Sequence, residues 1–347
     1  MNFLKYFFGV AFIPLLIFGG ISWYIEPISG DLTRLGNVSE RSWGWHAKKS
    51  VVQVRRNDLV APVDVIVVGD SFSIGNQWQS LAAEISGLQF ATYHWGDIGG
   101  DGCLQDAVSL LATQHPTARY LVIESVERAF IDRFSNQPSR SQRCKAPIKS
   151  SAFPEGGSTQ AHRVAFNKND ILPDAVYAIK ALLNENQLHD GLYISGQAAM
   201  APLIRNDLFS NQKSNSILFL REDLKRYQWT QAQLDLATKN VVKFVAVSNR
   251  VGLEPLMVVV PNKLTTYLPS VAQGVIEGDG QNIWIALDGS KVPSINLQPL
   301  FREKAQTGVD FYLPNDTHLS TDGYIFLGTL VGKVLKPVAA NKARALN

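Results

Sequence analysis

The sequence predicts an α/β protein: a parallel sheet with helices on both faces, preceded by one N-terminal transmembrane helix. Three observations predict it. VDVIVVGD (Val63 to Asp70) and LMVVVP (Leu256 to Pro261) are continuous β-branched runs, the pattern of strands buried on both faces. Stretches of helical periodicity alternate with such runs, which is the order of a parallel sheet with crossover helices. Finally, Tyr6 to Ile25 reads YFFGVAFIPLLIFGGISWYI, without a single charge.

The apolar segment comes first. At about 1.5 Å per helical residue it spans roughly 30 Å, the hydrocarbon core of a bilayer. Lys5 precedes it, and Trp23 and Tyr24 close it as an interfacial aromatic pair. The rival reading is a cleaved signal peptide, whose small-residue cleavage site Gly19, Gly20 and Ser22 imitate only weakly. Lys5 on one side and Arg34, Arg41, Lys48 and Lys49 on the other leave the orientation open on charge alone.

Residues 26–60 read as a structured juxtamembrane lead-in. Residues 61–336 read as one α/β domain with a polar insertion at about 132–170, and 337–347 as a tail. Within the domain, strands are predicted at Val63 to Asp70, Leu88 to Trp95, Arg119 to Ser125 and Leu256 to Pro261. Helices are predicted after Ser73, at Cys103 to Thr113, Asp174 to Asn186, Gln231 to Arg250 and Asp322 to Val334. VDFYLPNDTHLS is read as ending a last short strand.

Composition narrows the function. Of 347 residues, 46% are hydrophobic and 18% charged, too apolar for a disordered chain. A chain this long buries roughly 75% of its unfolded surface and needs neither metal nor disulfide to fold. Lys and Arg total 33 against 30 Asp and Glu, and the net charge of +3 lacks the basic face of a nucleic-acid binder. The two cysteines, Cys103 and Cys144, form no C-x-x-C pair, which excludes a zinc ribbon or thiol redox motif.

Ligands of open parallel sheets sit at the carboxyl ends of the strands, so chemistry is sought there. GDSFS (Gly69 to Ser73) follows the first strand. A serine between a buried strand and a helix is placed to act as a nucleophile, with helix N–H groups near a developing oxyanion. The plain alternative is that Ser71 or Asp70 only caps the helix. NDTHLS (Asn315 to Ser320) ends the last predicted strand. In an extended segment Asp316 and His318 share a side, where a carboxylate fixes the tautomer of an imidazole acting as base. The alternative makes Asp316 a helix cap and His318 a surface histidine.

The remaining strand ends are less specific. Glycines in WGDIGGDG let backbone N–H groups approach an oxyanion, which nominates Gly99 and Gly100 beside Ser71 as hole donors, or else mark a turn. ESVER holds Glu124, Glu127 and Arg128, either a local ion-pair network or a substrate contact. PNKLTTY offers Lys263 and Tyr267 to an acyl carbonyl or a sugar hydroxyl, or else a solvated lysine and a packed tyrosine. Trp78 and Trp95 are candidates for stacking on sugar rings, although core packing is the commoner role.

Taken together, GDSFS, the Gly-rich second loop, ESVER, PNKLTTY and the late NDTHLS resemble the SGNH hydrolase superfamily. More narrowly they resemble its AlgX/AlgJ-like branch, the periplasmic O-acetyltransferases of exopolysaccharide modification. The resemblance runs from about Val63 to Leu330 and implies a three-layer, flavodoxin-like sheet. It implies a catalytic triad of Ser71, His318 and Asp316. Glu124, Glu127 and Arg128 match the branch's W/I-E-x-x-E-R segment, and Pro261 and Lys263 its P-x-K segment. In the alginate proteins the dyad precedes the serine; here it follows, the order of most SGNH hydrolases. The asparagine many SGNH enzymes place in the third block is absent from ESVER.

The resemblance implies a single-pass protein of the inner (cytoplasmic) membrane with its catalytic domain in the periplasm. The implied activity is acetylation of hydroxyls on an exopolysaccharide or cell-envelope glycan through a serine acyl-enzyme. Its implied partners are a glycan acceptor and a multi-span membrane O-acyltransferase that supplies the acyl donor. No cofactor, metal or nucleic-acid partner is implied. Two alternatives stay open: an esterase or glycan deacetylase using the same triad, and a non-catalytic scaffold binding glycan or a partner. If the domain is exported, Cys103 and Cys144 are candidates for a disulfide tethering the insertion.

Overall fold

The structure is a computed structural model describing residues 6–13, 16, 20, 30–46, 62–135, 171–185 and 191–345. The first described stretch is helical at 6–13 and again at 16 and 20 (α1), and its side chains Phe7, Phe12 and Leu16 are exposed. Among the described residues no helix is long and apolar enough to cross a membrane. The core of the insertion, Cys144 included, lies outside the described residues.

The central sheet has four parallel strands in the order β2-β1-β3-β7. They are β1 (Val65–Gly69), β2 (Phe90–His94), β3 (Tyr120–Val126) and β7 (Glu254–Val260). The side-chain alternation of β1 divides the core. Val65 and Val67 face a cluster built with Trp78 and Ala82 of α5 (Gln77–Ser86), Phe301 of α12 (Leu297–Gln306) and Leu327 and Val331 of α13 (Thr321–Ala345). Ile66 and Val68 face Val108 and Leu111 of α6 (Leu104–Gln114), Phe134 of α7 (Phe130–Ser135) and Val241 and Phe244 of α9 (Gln231–Arg250). Both faces are thus covered, which is why the strands read as unbroken apolar runs. The helix α9 begins with a full capping box between Thr230 and Gln233.

Chain order reverses at β1: β2 pairs on one side and β3 on the other. The crevice at the carboxyl end of β1 is therefore the topological switch point, where open α/β sheets hold ligands.

Three features depart from expectation. The helix predicted after Ser73 is two helices, α4 (Ser71–Ile74) and α5, broken where Asn76 turns left-handed at φ 51°. The last predicted strand is no part of the sheet: Tyr312 and Leu319 form an isolated antiparallel bridge that closes an irregular loop. A second sheet was not predicted. It is antiparallel, ordered β4 (Tyr193–Ser195), β5 (Ala198–Pro202) and β6 (Ser216–Leu220). One face of it buries Leu32, Val38 and Trp43 of the lead-in, from α2 (Asp31–Gly36) to α3 (Glu40–Trp43). The helix α8 (Ile171–Glu185) touches the lead-in through Tyr177 Oη, which donates to Val38 O at 2.5 Å.

The β1–α4 corner is tight. A Cβ on Gly69 would lie 2.3 Å from Ser73 Oγ and 2.7 Å from Glu124 Oε2. Gly69→Ala is expected to destabilise the protein by about 1–3 kcal/mol through this overpacking, read as a lower denaturant midpoint at unchanged slope.

Candidate active site

Ser71 is the first residue of α4, and its side chain is exposed. The corner that presents it is held by buried carboxylates. Asp70 caps α4 by accepting from Phe72 N–H at 3.1 Å, and its other oxygen accepts from Val126 N–H at 2.8 Å. Arg133 reaches that oxygen at 2.8 Å while donating to Ser125 Oγ. Burial works against ionisation of Asp70, but Arg133 and the N–H donors hold its carboxyl below the usual range. Glu124 Oε2 accepts from Asp70 N–H and from Ser73 Oγ, each at 2.9 Å. Burial and the neighbouring Asp70 charge push the Glu124 carboxyl well above its ordinary value.

His318 arrives from the irregular loop between Tyr312 and Leu319. Its Nε2 lies 2.8 Å from Ser71 Oγ and its Nδ1 lies 2.6 Å from Asp316 Oδ1. An extended strand does not create this pair. His318 N–H also donates to Asp316 Oδ1 at 3.0 Å, and Leu313 N–H donates to His318 O at 3.0 Å. The carboxylate thus folds back over its own turn, and side-chain and backbone donors converge on one oxygen. The Phe72 ring packs 5.1 Å from the imidazole, centroid to centroid.

The charges suit a base. Burial disfavours a charged Asp316, but the hydrogen bond and charge of His318 bring its carboxyl down to about 2. Burial likewise opposes protonation of His318, yet Asp316, and then Asp31, raise the imidazole above its ordinary value while Arg128 opposes them. A neutral imidazole donating Nδ1–H to Asp316 leaves Nε2 free to accept from Ser71.

Residues 215–344 match the family model described as SGNH hydrolase-like domain, acetyltransferase AlgX. The resemblance to the AlgX-like branch of the SGNH hydrolases stands. The matched stretch contains Asp316 and His318, whereas Ser71 lies outside it. A domain of this kind fits a serine hydrolase-like role in acetyl or acyl transfer. No curated protein and no solved structure gives a significant match.

The other predicted site residues sort by burial. Gly99 and Gly100 both have positive φ, but their N–H groups donate to Gly96 O and Trp95 O. They shape the turn and are not available to an oxyanion. The Ser71 N–H, at the first position of α4, has no acceptor among the described residues. Glu127 is fully buried and pairs with Arg226 at 2.6 Å, both side chains sealed from solvent; it also accepts from Asn262 N–H. Tyr267 is fully buried and accepts from Tyr312 N–H. Trp78 donates to Ser73 Oγ, Trp95 donates to Glu124 O beneath the Arg133 guanidinium, and both rings are buried. Side chains so enclosed cannot touch a glycan; Glu124, Glu127, Tyr267 and both tryptophans are scaffold. Arg128 alone keeps partial access, its side chain 14% exposed, beside Asp223 and Asn262.

Lys263 is also a correction. It is not a solvated lysine but a buried one. Its ammonium donates to the carbonyls of Leu313, Pro314 and Asp316 at 2.7, 2.8 and 3.3 Å. Burial lowers its pKa to about 7, while Asp316, Asp31, Asp310 and Asp223 favour the charged form. All three of its protons thus serve the loop that carries the dyad. Cys103 is buried and disulfide-bonded; Cys144, its expected partner, lies outside the described residues.

Asp31, Asp316 and His318 are the one group among the described residues whose ligand-type atoms cluster within 4.8 Å. They do not suit a metal. His318 is committed through both nitrogens, and Asp31 accepts from Thr317 through both oxygens.

Lys263→Met retains length and removes the charge together with its hydrogen bonds to three loop carbonyls. It is expected to cost about 3–5 kcal/mol, measured as a fall in denaturant midpoint.

Proposed function

We propose that the protein is a serine-dependent O-acetyltransferase acting on hydroxyls of an exopolysaccharide or cell-envelope glycan. Its N-terminal apolar segment holds it at the cytoplasmic membrane, with the catalytic body in the periplasm. The observation that carries the reading is the Ser71–His318–Asp316 relay, 2.8 and 2.6 Å between successive groups, opening to solvent at Ser71.

Ser71 Oγ attacks the acyl carbonyl of the donor as His318 Nε2 takes its proton. Asp316 keeps Nδ1–H in place and stabilises the imidazolium that forms. The Ser71 N–H, at the start of α4, faces the oxyanion. Collapse of the tetrahedral adduct expels the donor's leaving group with the proton from His318, leaving an acetyl ester on Ser71. A sugar hydroxyl then gives its proton to His318 and attacks that ester, and the second collapse returns the proton to Ser71 Oγ. Arg128, at the rim, is positioned to contact the incoming acceptor or donor. A multi-span membrane O-acyltransferase is the proposed source of acetyl groups.

The test uses the full chain in detergent with an activated acetyl ester and glycan oligosaccharides. Mass spectrometry follows acetylated sugar and free acetate separately. The account expects sugar acetylation that Ser71→Ala and His318→Ala each reduce at least ~10³-fold. Acetate release that ignores added sugar would assign the same triad to an esterase. Turnover unaffected by Ser71→Ala would remove the serine from the chemistry, and an unchanged cellular phenotype after Ser71→Ala would favour the scaffold.

The pH dependence has a definite sign. His318 must be neutral to accept the Ser71 proton, and its surroundings raise its pKa. Activity is therefore expected to rise with pH through a midpoint above ~6.5, the ordinary imidazole value. A midpoint at or below that value in a kcat/KM profile would contradict the assignment.

A further inference from the structure

We propose that Asp31, carried into the site by the N-terminal lead-in, is a positioning residue of the dyad. It fixes Thr317 between Asp316 and His318 and sets a second carboxylate beside the imidazole. The inference rests on reading Ser71, His318 and Asp316 as the reacting groups.

The geometry is reciprocal. Asp31 Oδ1 accepts from Thr317 N–H at 2.8 Å, and Oδ2 accepts from Thr317 Oγ at 2.5 Å. In return, Asp31 N–H donates to Asp316 Oδ2 at 3.2 Å, on the carboxylate oxygen that His318 does not use. Asp31 Oδ2 lies 3.9 Å from His318 Nδ1. The residue between base and orienter is thus held by a group 286 positions away in the chain.

The lead-in is built to come this close. Leu32 N–H donates to Asn315 O at 3.1 Å, and Asn315 Nδ2 donates to the buried Glu40. A Cβ on Gly30 would lie 2.0 Å from Asn315 O, so only glycine lets the two backbones run together. A simple tether would not require two carboxylates to face each other. Burial and the Asp316 charge both raise the Asp31 carboxyl, opposed by His318 and Thr317. This like-charge contact is tolerated where a cation forms beside both carboxylates, and the imidazolium forms there.

The groups around His318 define what Asp31 adds. Asp316 and Asp31 face its Nδ1 side, Ser71 its Nε2 side and Phe72 its ring face; Arg128 opposes the two carboxylates from the end of β3. Lys263 holds the loop backbone from behind. Removing the Asp31 charge leaves Asp316 alone against Arg128.

The deciding experiment follows His318 by NMR in the full chain, labelled at histidine and held in detergent micelles. The His318 signal is identified by its loss in His318→Gln. Asp31→Asn and Asp31→Ser keep polarity at the position without its charge. Each is expected to lower the His318 titration midpoint by about 0.5–1 pH unit. The acid limb of turnover on an activated acetyl ester should move down with it, and kcat should fall about ten-fold at unchanged KM. An unchanged midpoint in folded variants would overturn the proposal, and so would failure of both variants to fold, which would make Asp31 a residue of the fold alone. Absence of any acyl-enzyme in the wild-type chain would defeat the acyl-transfer reading, while the titration would still decide the role of Asp31.

Discussion

An irregular loop carries the base, and the buried ammonium of Lys263 is what gives that loop a shape. Residues 313–318 sit between two bridge partners and have no helix or sheet ladder of their own. Buried carbonyls without donors are costly, and a loop has few ways to satisfy them. Lys263 answers three at once from the first position of α10 (Lys263–Tyr267), immediately after β7. The parallel sheet thereby fixes the loop: β7 sets α10, α10 sets Lys263, and Lys263 sets the backbone that aims Asp316 and His318. Asp31 and Glu40 hold the same loop through Thr317 and Asn315.

Ser71 is fixed by a separate set of buried charges. Asp70, Arg133 and Glu124 tie β1 to β3 and hold the corner from which α4 starts. Two independently braced elements, a strand–helix corner and a loop, meet with only the Ser71–His318 hydrogen bond between their reacting atoms. Burying this much charge requires each member to find a partner, and the Glu127–Arg226 and Arg128–Asp223 pairs extend the same pattern from the end of β3 to the turn that follows β6. The motifs at these strand ends read most economically as a rigid frame, with substrate contact left to its rim.

Much of this is legible in the linear sequence. β1, β2, β3 and β7 are short apolar runs with a single physical reading, and α9 carries its own cap signals. Ser71, Asp316 and His318 are identifiable because strand ends, residue types and a family pattern point to the same positions. Lys263 and Glu127 stand out by motif, and the ion-pair reading of ESVER fits the Glu127–Arg226 pair, but sequence does not reveal that the Lys263 tip meets buried carbonyls rather than solvent. Asp31 gives almost no signal: its partners lie at the other end of the chain, and a lone Gly-Asp pair in a polar lead-in looks like a turn. The antiparallel sheet left one trace, the apolar SILFL run of β6 (Ser216–Leu220), whose partner β5 is rich in small residues and lacks a strand pattern. The dyad's pairing in a turn, rather than along a strand, follows from long-range bracing that local spacing cannot report.

The central claim is that Ser71 is a nucleophile activated by His318, and covalent labelling tests it without knowledge of donor or acceptor. A fluorophosphonate probe added to the full chain in detergent should give one adduct per molecule. Peptide mapping should place it on Ser71, and His318→Ala should abolish it. No adduct on a folded protein, or labelling of Ser71 that is indifferent to His318, would contradict the account.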